Sequence, residues 1–84
     1  MSCYYVIGVR MENRTGNAVK FQEALTKNGC SIKARLGLHE ISETACANDG
    51  LIILQPCGKK EEIEKLVADL NKLDGVTAKL IDLN

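Results

Sequence analysis

The chain has 84 residues, 45% of them apolar, and 11 basic residues balance 11 acidic ones. That length fits a single domain, 1–84, burying about 60 to 65% of its unfolded surface, so a partner subunit would add to its stability. A balanced charge disfavours direct nucleic-acid binding and attraction to an acidic membrane, and the longest apolar run, Leu51 to Leu54, is too short to cross a bilayer.

Tyr4 to Met11 predicts a first strand, with Tyr5, Ile7, Val9 and Met11 on one side and Tyr4, Val6, Gly8 and Arg10 on the other. The second side is itself half apolar, which suits a central or covered strand. Glu12 to Asn17 is a polar turn, followed by a helix to about Asn28 whose apolar stripe is Ala18, Phe21, Ala24 and Leu25. Asn28-Gly29 supplies its stop, because glycine takes the left-handed C′ conformation without a steric cost. Ile32 to His39 alternates strictly, with Ile32, Ala34, Leu36 and Leu38 opposite Lys33, Arg35, Gly37 and His39. This predicts a second strand with Lys33 and Arg35 on the same open face as Arg10.

Asn48-Asp49-Gly50 is a tight-turn signal, and Leu51 to Gln55 a third strand closed by Pro56-Cys57-Gly58. The second helix spans about Lys59 to Asp74, with Ile63, Leu66, Val67, Leu70 and Leu73 on one face. Asp74-Gly75 ends it, and Val76 to Leu83 is the last strand. The order β-α-β-β-α-β is the α+β, ferredoxin-like arrangement: a four-stranded antiparallel sheet with two helices on one face. The other face would expose Tyr4, Val6, Ile81 and Leu83, too much apolar surface for a monomer, so a homo-oligomer, dimer or tetramer, is expected.

Cys3, Cys30, Cys46 and Cys57 form no CxxC pair and fit reduced thiols of a cytoplasmic protein. A redox sensor at Cys57, near Lys59 and Lys60, would need a resolving partner that the spacing does not indicate. His39, with Glu40, Glu43, Cys46 and Asp49 close by, offers metal-ligand chemistry without a ligand spacing. A solvated acidic loop is the preferred account of it. With one histidine and no nucleophile–base pairing, no catalytic team is visible and an enzyme is not expected. No cofactor is expected either. The turn holding Asn13, Arg14, Thr15, Gly16 and Asn17 is the better candidate site, because a strand end meets a helix N-terminus whose free N–H groups favour an anion. The competing account is an ordinary helix cap.

Val6 to Ile32 resembles the opening of ACT-type regulatory domains, in which a strand ends in an Asp/Asn-Arg-x-Gly turn before a helix. Asn13-Arg14-Thr15-Gly16 matches that turn, with Asn13 where Asp is usual. Ala34 to Glu40 (ARLGLHE), Asn48 to Leu54 (NDGLIIL) and Leu73 to Val76 (LDGV) are similar to a small stand-alone family of regulators of the iron-only hydrogenase system. The resemblance implies a dimeric or tetrameric regulatory module. It would sense a small molecule, often an amino acid, at Asn13 to Asn17, or assist transcription through a partner regulator or hydrogenase-maturation protein. The regulatory domain of nickel-responsive repressors is similar in fold. His39 falls on one of its metal positions, but Gly37 stands where a second histidine is expected and Cys46 is out of register. The alternatives are a metal-responsive module built on His39 and a pure interaction module.

Overall fold

A computed structural model describes residues 3–12, 14–28, 31–39 and 50–84, with side chains at all of these except 14, 15, 31, 38 and 39. The elements are β1 (Tyr5–Met11), α1 (Arg14–Asn28), β2 (Ser31–His39), β3 (Gly50–Cys57), α2 (Lys60–Asn71) and β4 (Val76–Asp82). The strands form a four-stranded sheet in the order β2-β3-β1-β4, antiparallel throughout. This is the ferredoxin-like arrangement that the element order predicts.

β1 sits inside the sheet, and its alternation decides the core. Tyr5, Ile7, Val9 and Met11 are buried under the helices, while Val6 and Gly8 are half-buried on the helix-free face. Ile52 and Leu54 of β3 and Val76 and Ala78 of β4 complete the sheet side of the core. α2 contributes Ile63, Leu66 and Leu70, fully buried at the predicted spacing, with Val67 and Leu73 packed at the margin. It is shorter than predicted. The Lys59 carbonyl accepts from the N–H groups of Glu62 and Ile63, both at 3.1 Å, which starts the helix at Lys60. Past Asn71 the bonds shorten in span, with Lys72 N–H on Asp69 O and Leu73 N–H on Leu70 O, until Gly75 turns the chain at φ 75°.

α1 begins earlier than the sequence suggests, at Arg14, so Arg14 to Asn17 belong to its first turn. Asn17 acts on the chain ahead of the helix. Its side-chain amide donates to the Glu12 carbonyl at 2.7 Å, pinning the incoming chain and letting the helix start before it. Phe21 and Leu25 are buried and Ala24 half-buried, whereas Ala18, predicted on the same stripe, is exposed. The inward face therefore starts at Phe21. At the other end Asn28 donates to the Ala24 carbonyl at 2.8 Å and to Asp69 Oδ2 at 3.0 Å, tying α1 to α2. Gly29, its predicted stop, lies outside the described residues.

Two strands depart from expectation. β2 carries an irregularity between Ile32 and Ala34, opposite Pro56 and Gln55. An extra residue in a strand turns every later side chain to the other face. Ile32 therefore packs against the core, but Arg35 is registered with buried Leu54 and Leu36 with Ile53. Arg35 lies on the helix side, donating to Gln22 Oε1 at 2.8 Å with its guanidinium 5.2 Å from the Phe21 ring centre. The expectation that Arg35 shares the open face with Arg10 is thus corrected. β3 continues through Pro56 to Cys57 instead of ending before it. The β1 ladder on β3 stops at Ile7 and Leu54, and the bulge faces Pro56 from β2, so the missing proline N–H falls where the ladder is already interrupted. The second correction concerns the cysteines. Cys3 and Cys57 form a disulfide, across a sequence separation of 54 residues.

β4 is an edge strand, and α2 covers part of its edge. The Asn71 side chain donates to the Ala78 carbonyl at 2.9 Å and accepts from the Ala78 N–H at 2.8 Å, taking the place of a neighbouring strand. Replacing Asn71 with Ala leaves both groups unpaired in a half-shielded position and should cost about 1–3 kcal/mol. Asn71→Asp retains only the acceptor and should lose stability as well. Urea unfolding checks both.

The hydrogen bond from Asn28 holds the Asp69 carboxyl below its ordinary value of 3.8, helped by Lys72 and Lys27 and opposed by desolvation. A lowered folded-state value stabilises the fold fully above pH 3.8, and that contribution is lost as the pH falls through the lowered value. Asn28→Ala should therefore destabilise the protein most above this range, with the gap to the parent narrowing on acidification. Thermal unfolding between neutral and strongly acid pH measures it.

Candidate functional site

The turn from β1 to α1 lies against the turn from α2 to β4. Glu12 N–H donates to the Gly75 carbonyl at 2.7 Å, and the Glu12 carbonyl receives the Asn17 amide, so both backbone groups of Glu12 are used. A Cβ built on Gly75 would stand 3.4 Å from Asn17 Nδ2 and 3.4 Å from Glu12 Cβ, ordinary contacts. Its positive φ of 75° is what favours glycine there. The second connection thus fixes the end of β1 relative to the start of α1.

Of the five residues predicted for the site, Arg14, Thr15, Gly16 and Asn17 form the start of α1, and Asn13 lies outside the described residues. Gly16 is exposed. Asn17 positions the turn by donating its side-chain amide to the Glu12 carbonyl. The first turn of α1 has no acidic side chain, so its N–H groups keep their partial positive charge. Arg10 pairs with Glu12 at 3.9 Å beside the turn, both well exposed, a contact of small energetic weight. The chemistry available here is binding of a small anion or carboxylate by backbone N–H groups.

His39 ends β2, in register with Gly50, while Glu40, Glu43, Cys46 and Asp49 lie outside the described residues. Among the described residues, no group of three histidine, cysteine or acidic side chains is placed to hold a metal ion.

The helix-free sheet face is the second candidate surface. Tyr4, Leu36, Leu51, Ile81 and Leu83 are 44–68% exposed. Leu36 belongs to, and the others flank, one row that runs Leu36, Ile53, Gly8 and Lys79 across all four strands. A Cβ built on Gly8 would meet nothing within 4 Å. Packing within the chain therefore does not require glycine at the middle of this face. Leu36 is here because of the β2 bulge, a placement that no sequence signal announced.

Among the described residues, no helix is long and apolar enough to cross a membrane. No protein-family model matches the chain, and no curated protein matches it. Solved structures do. The chain is similar to the uncharacterized protein TM1266 from Thermotoga maritima, with 24% identity, 95% of each chain covered and a TM-score of 0.78. It is similar to the ACT domain from GTP pyrophosphokinase of Chlorobium tepidum, with 14% identity over 95% of this chain and 100% of that one, TM-score 0.72. A third likeness is to the regulatory subunit of aspartate kinase from Thermus thermophilus, at 18% identity and TM-score 0.62, covering 92% of this chain and 49% of that one. At these identities the shared property is the fold.

Proposed function

We propose that the chain is a small-molecule-sensing regulatory module that works as a homo-oligomer in the cytoplasm. The observation that carries the reading is the β1–α1 turn. It is a helix start without an acidic side chain, held in place by Glu12, Asn17 and Gly75. Such a start binds carboxylates and other small anions through backbone N–H groups, and Gly16 is exposed in its first turn. The likeness to an ACT domain and to the regulatory subunit of a kinase supports regulation over catalysis. Assembly is supported by the exposed apolar residues of the helix-free face and by Gly8 at its centre, since a strand glycine without a packing reason suits close approach of another chain. The narrower role, control of an iron-only hydrogenase system through a partner regulator or maturation protein, is supported by the resemblance of Ala34 to Glu40, Asn48 to Leu54 and Leu73 to Val76.

Native mass spectrometry of the untagged chain is the direct test of assembly. A dimer or tetramer is expected, and Gly8→Leu should return it to a monomer with an unchanged circular dichroism spectrum. A monomeric parent chain would refute the oligomer.

A panel of free amino acids and small carboxylates, screened by thermal shift, tests the turn. At least one should raise the melting temperature of the parent chain, and Gly16→Val, still folded, should lose that rise. A rise that survives Gly16→Val would place the ligand elsewhere.

A further inference from the structure

We propose that Cys3 and Cys57 form a reversible thiol–disulfide site, and that its redox state controls the order of the strap ahead of β1. The missing element for a redox role at Cys57 is a resolving partner, and the fold supplies it from the far end of the sequence. Cys57 ends β3 and is 9% exposed, while Cys3 precedes β1 and is only half-buried. An incoming thiolate therefore has its access at Cys3 Sγ.

The bond is not what builds the core. Tyr5, Ile7, Val9 and Met11 are buried among residues of both helices, β3 and β4, and β1 is laddered to β4 from Tyr5 opposite Asp82 to Met11 opposite Val76. What the bond holds is the two-residue strap outside that ladder. The Cys3 carbonyl accepts from Gln55 Nε2 at 2.9 Å, and the Tyr4 carbonyl accepts from Leu83 N–H at 2.8 Å. The strap thus joins β3, β1 and the end of β4 at one end of the sheet. Its side chain Tyr4 and its neighbour Leu83 are 68% and 66% exposed, beside Ile81 on the helix-free face. With the covalent bond open, these two hydrogen bonds remain to restrain the strap.

The exchange needs a dithiol as co-reactant. Its first thiolate attacks Cys3 Sγ, the Cys3–Cys57 bond breaks, and Cys57 leaves as a thiolate that takes a proton from water. The second thiol of the reductant, as thiolate, then displaces Cys3, which is protonated in turn. The two cysteines gain two electrons and two protons overall, and the dithiol becomes a cyclic disulfide. Disulfides in reducing compartments are characteristically transient or redox-sensing, which is the behaviour assigned here. The proposal is independent of ligand binding at the β1–α1 turn.

The test equilibrates the untagged full chain in buffers of reduced and oxidised dithiothreitol, traps free thiols by alkylation, and maps Cys3 and Cys57 by peptide mass. Under native conditions the pair should pass fully between bonded and free states. The reduced chain should keep its circular dichroism spectrum, and hydrogen exchange at the Leu83 amide should accelerate by about tenfold or more. Cys3→Ser should reproduce the reduced state. The proposal is overturned if the pair reduces only in denaturant, if the reduced parent chain unfolds, if the two thiols never pair, or if Leu83 exchange is unchanged by reduction. Reduction of the parent chain decides the matter even where Cys3→Ser fails to fold.

Discussion

The burial of one face of β1 is the constraint on which the remaining structure depends. Ile7 and Val9 have no exposed surface and Tyr5 and Met11 almost none, so the strand must have a neighbour on each edge and a helical layer above it. β3 and β4 supply the edges. α2 lays Ile63, Leu66 and Leu70 over the sheet, and α1 brings Phe21 and Leu25 to the same layer. Removing apolar surface from water contributes about 25 cal/mol per Å², which outweighs any single polar contact here. The polar contacts act as alignment. Asn28 sets α1 against α2, Asn71 sets α2 against β4, and Glu12 with Gly75 sets the two connections against each other.

Most of this architecture is legible in the sequence because its period is simple. The stripe of α2 and the alternation of β1 and β4 each name their buried residues. β2 departs from its pattern for a physical reason. Strict alternation from Ile32 to Leu38 suggests one continuous pleat, and nothing in the residues marks the bulge that divides it. Arg35 consequently moved to the helix side, where its charge rests over the Phe21 ring. Pro56 reads as a strand end, yet it stands within β3 where the ladder needs no donor.

The candidate site was legible only in part. Its place between a strand and a helix N-terminus follows from the element order, but the start of α1 at Arg14 and the use of Asn17 as a brace on Glu12 do not. Contact between the β1–α1 turn and Gly75 joins residues far apart in the chain, and pairings of that kind leave no local trace. The partnership of Cys3 with Cys57 is hidden for the same reason. Spacing rules recognise cysteines that are neighbours in sequence, whereas these two meet because β1 and β3 lie side by side.

The bulge at Lys33 also bears on how this fold diverges. A single-residue deletion at that point would leave the sheet order untouched while exchanging the faces of every β2 residue after it. Two chains with the same backbone and nearly the same β2 residues could then present a basic surface in one case and an apolar one in the other. Surface identity in this strand is therefore set by residue count as much as by residue type. A gap placed wrongly by one position when such chains are aligned would pair residues that point in opposite directions.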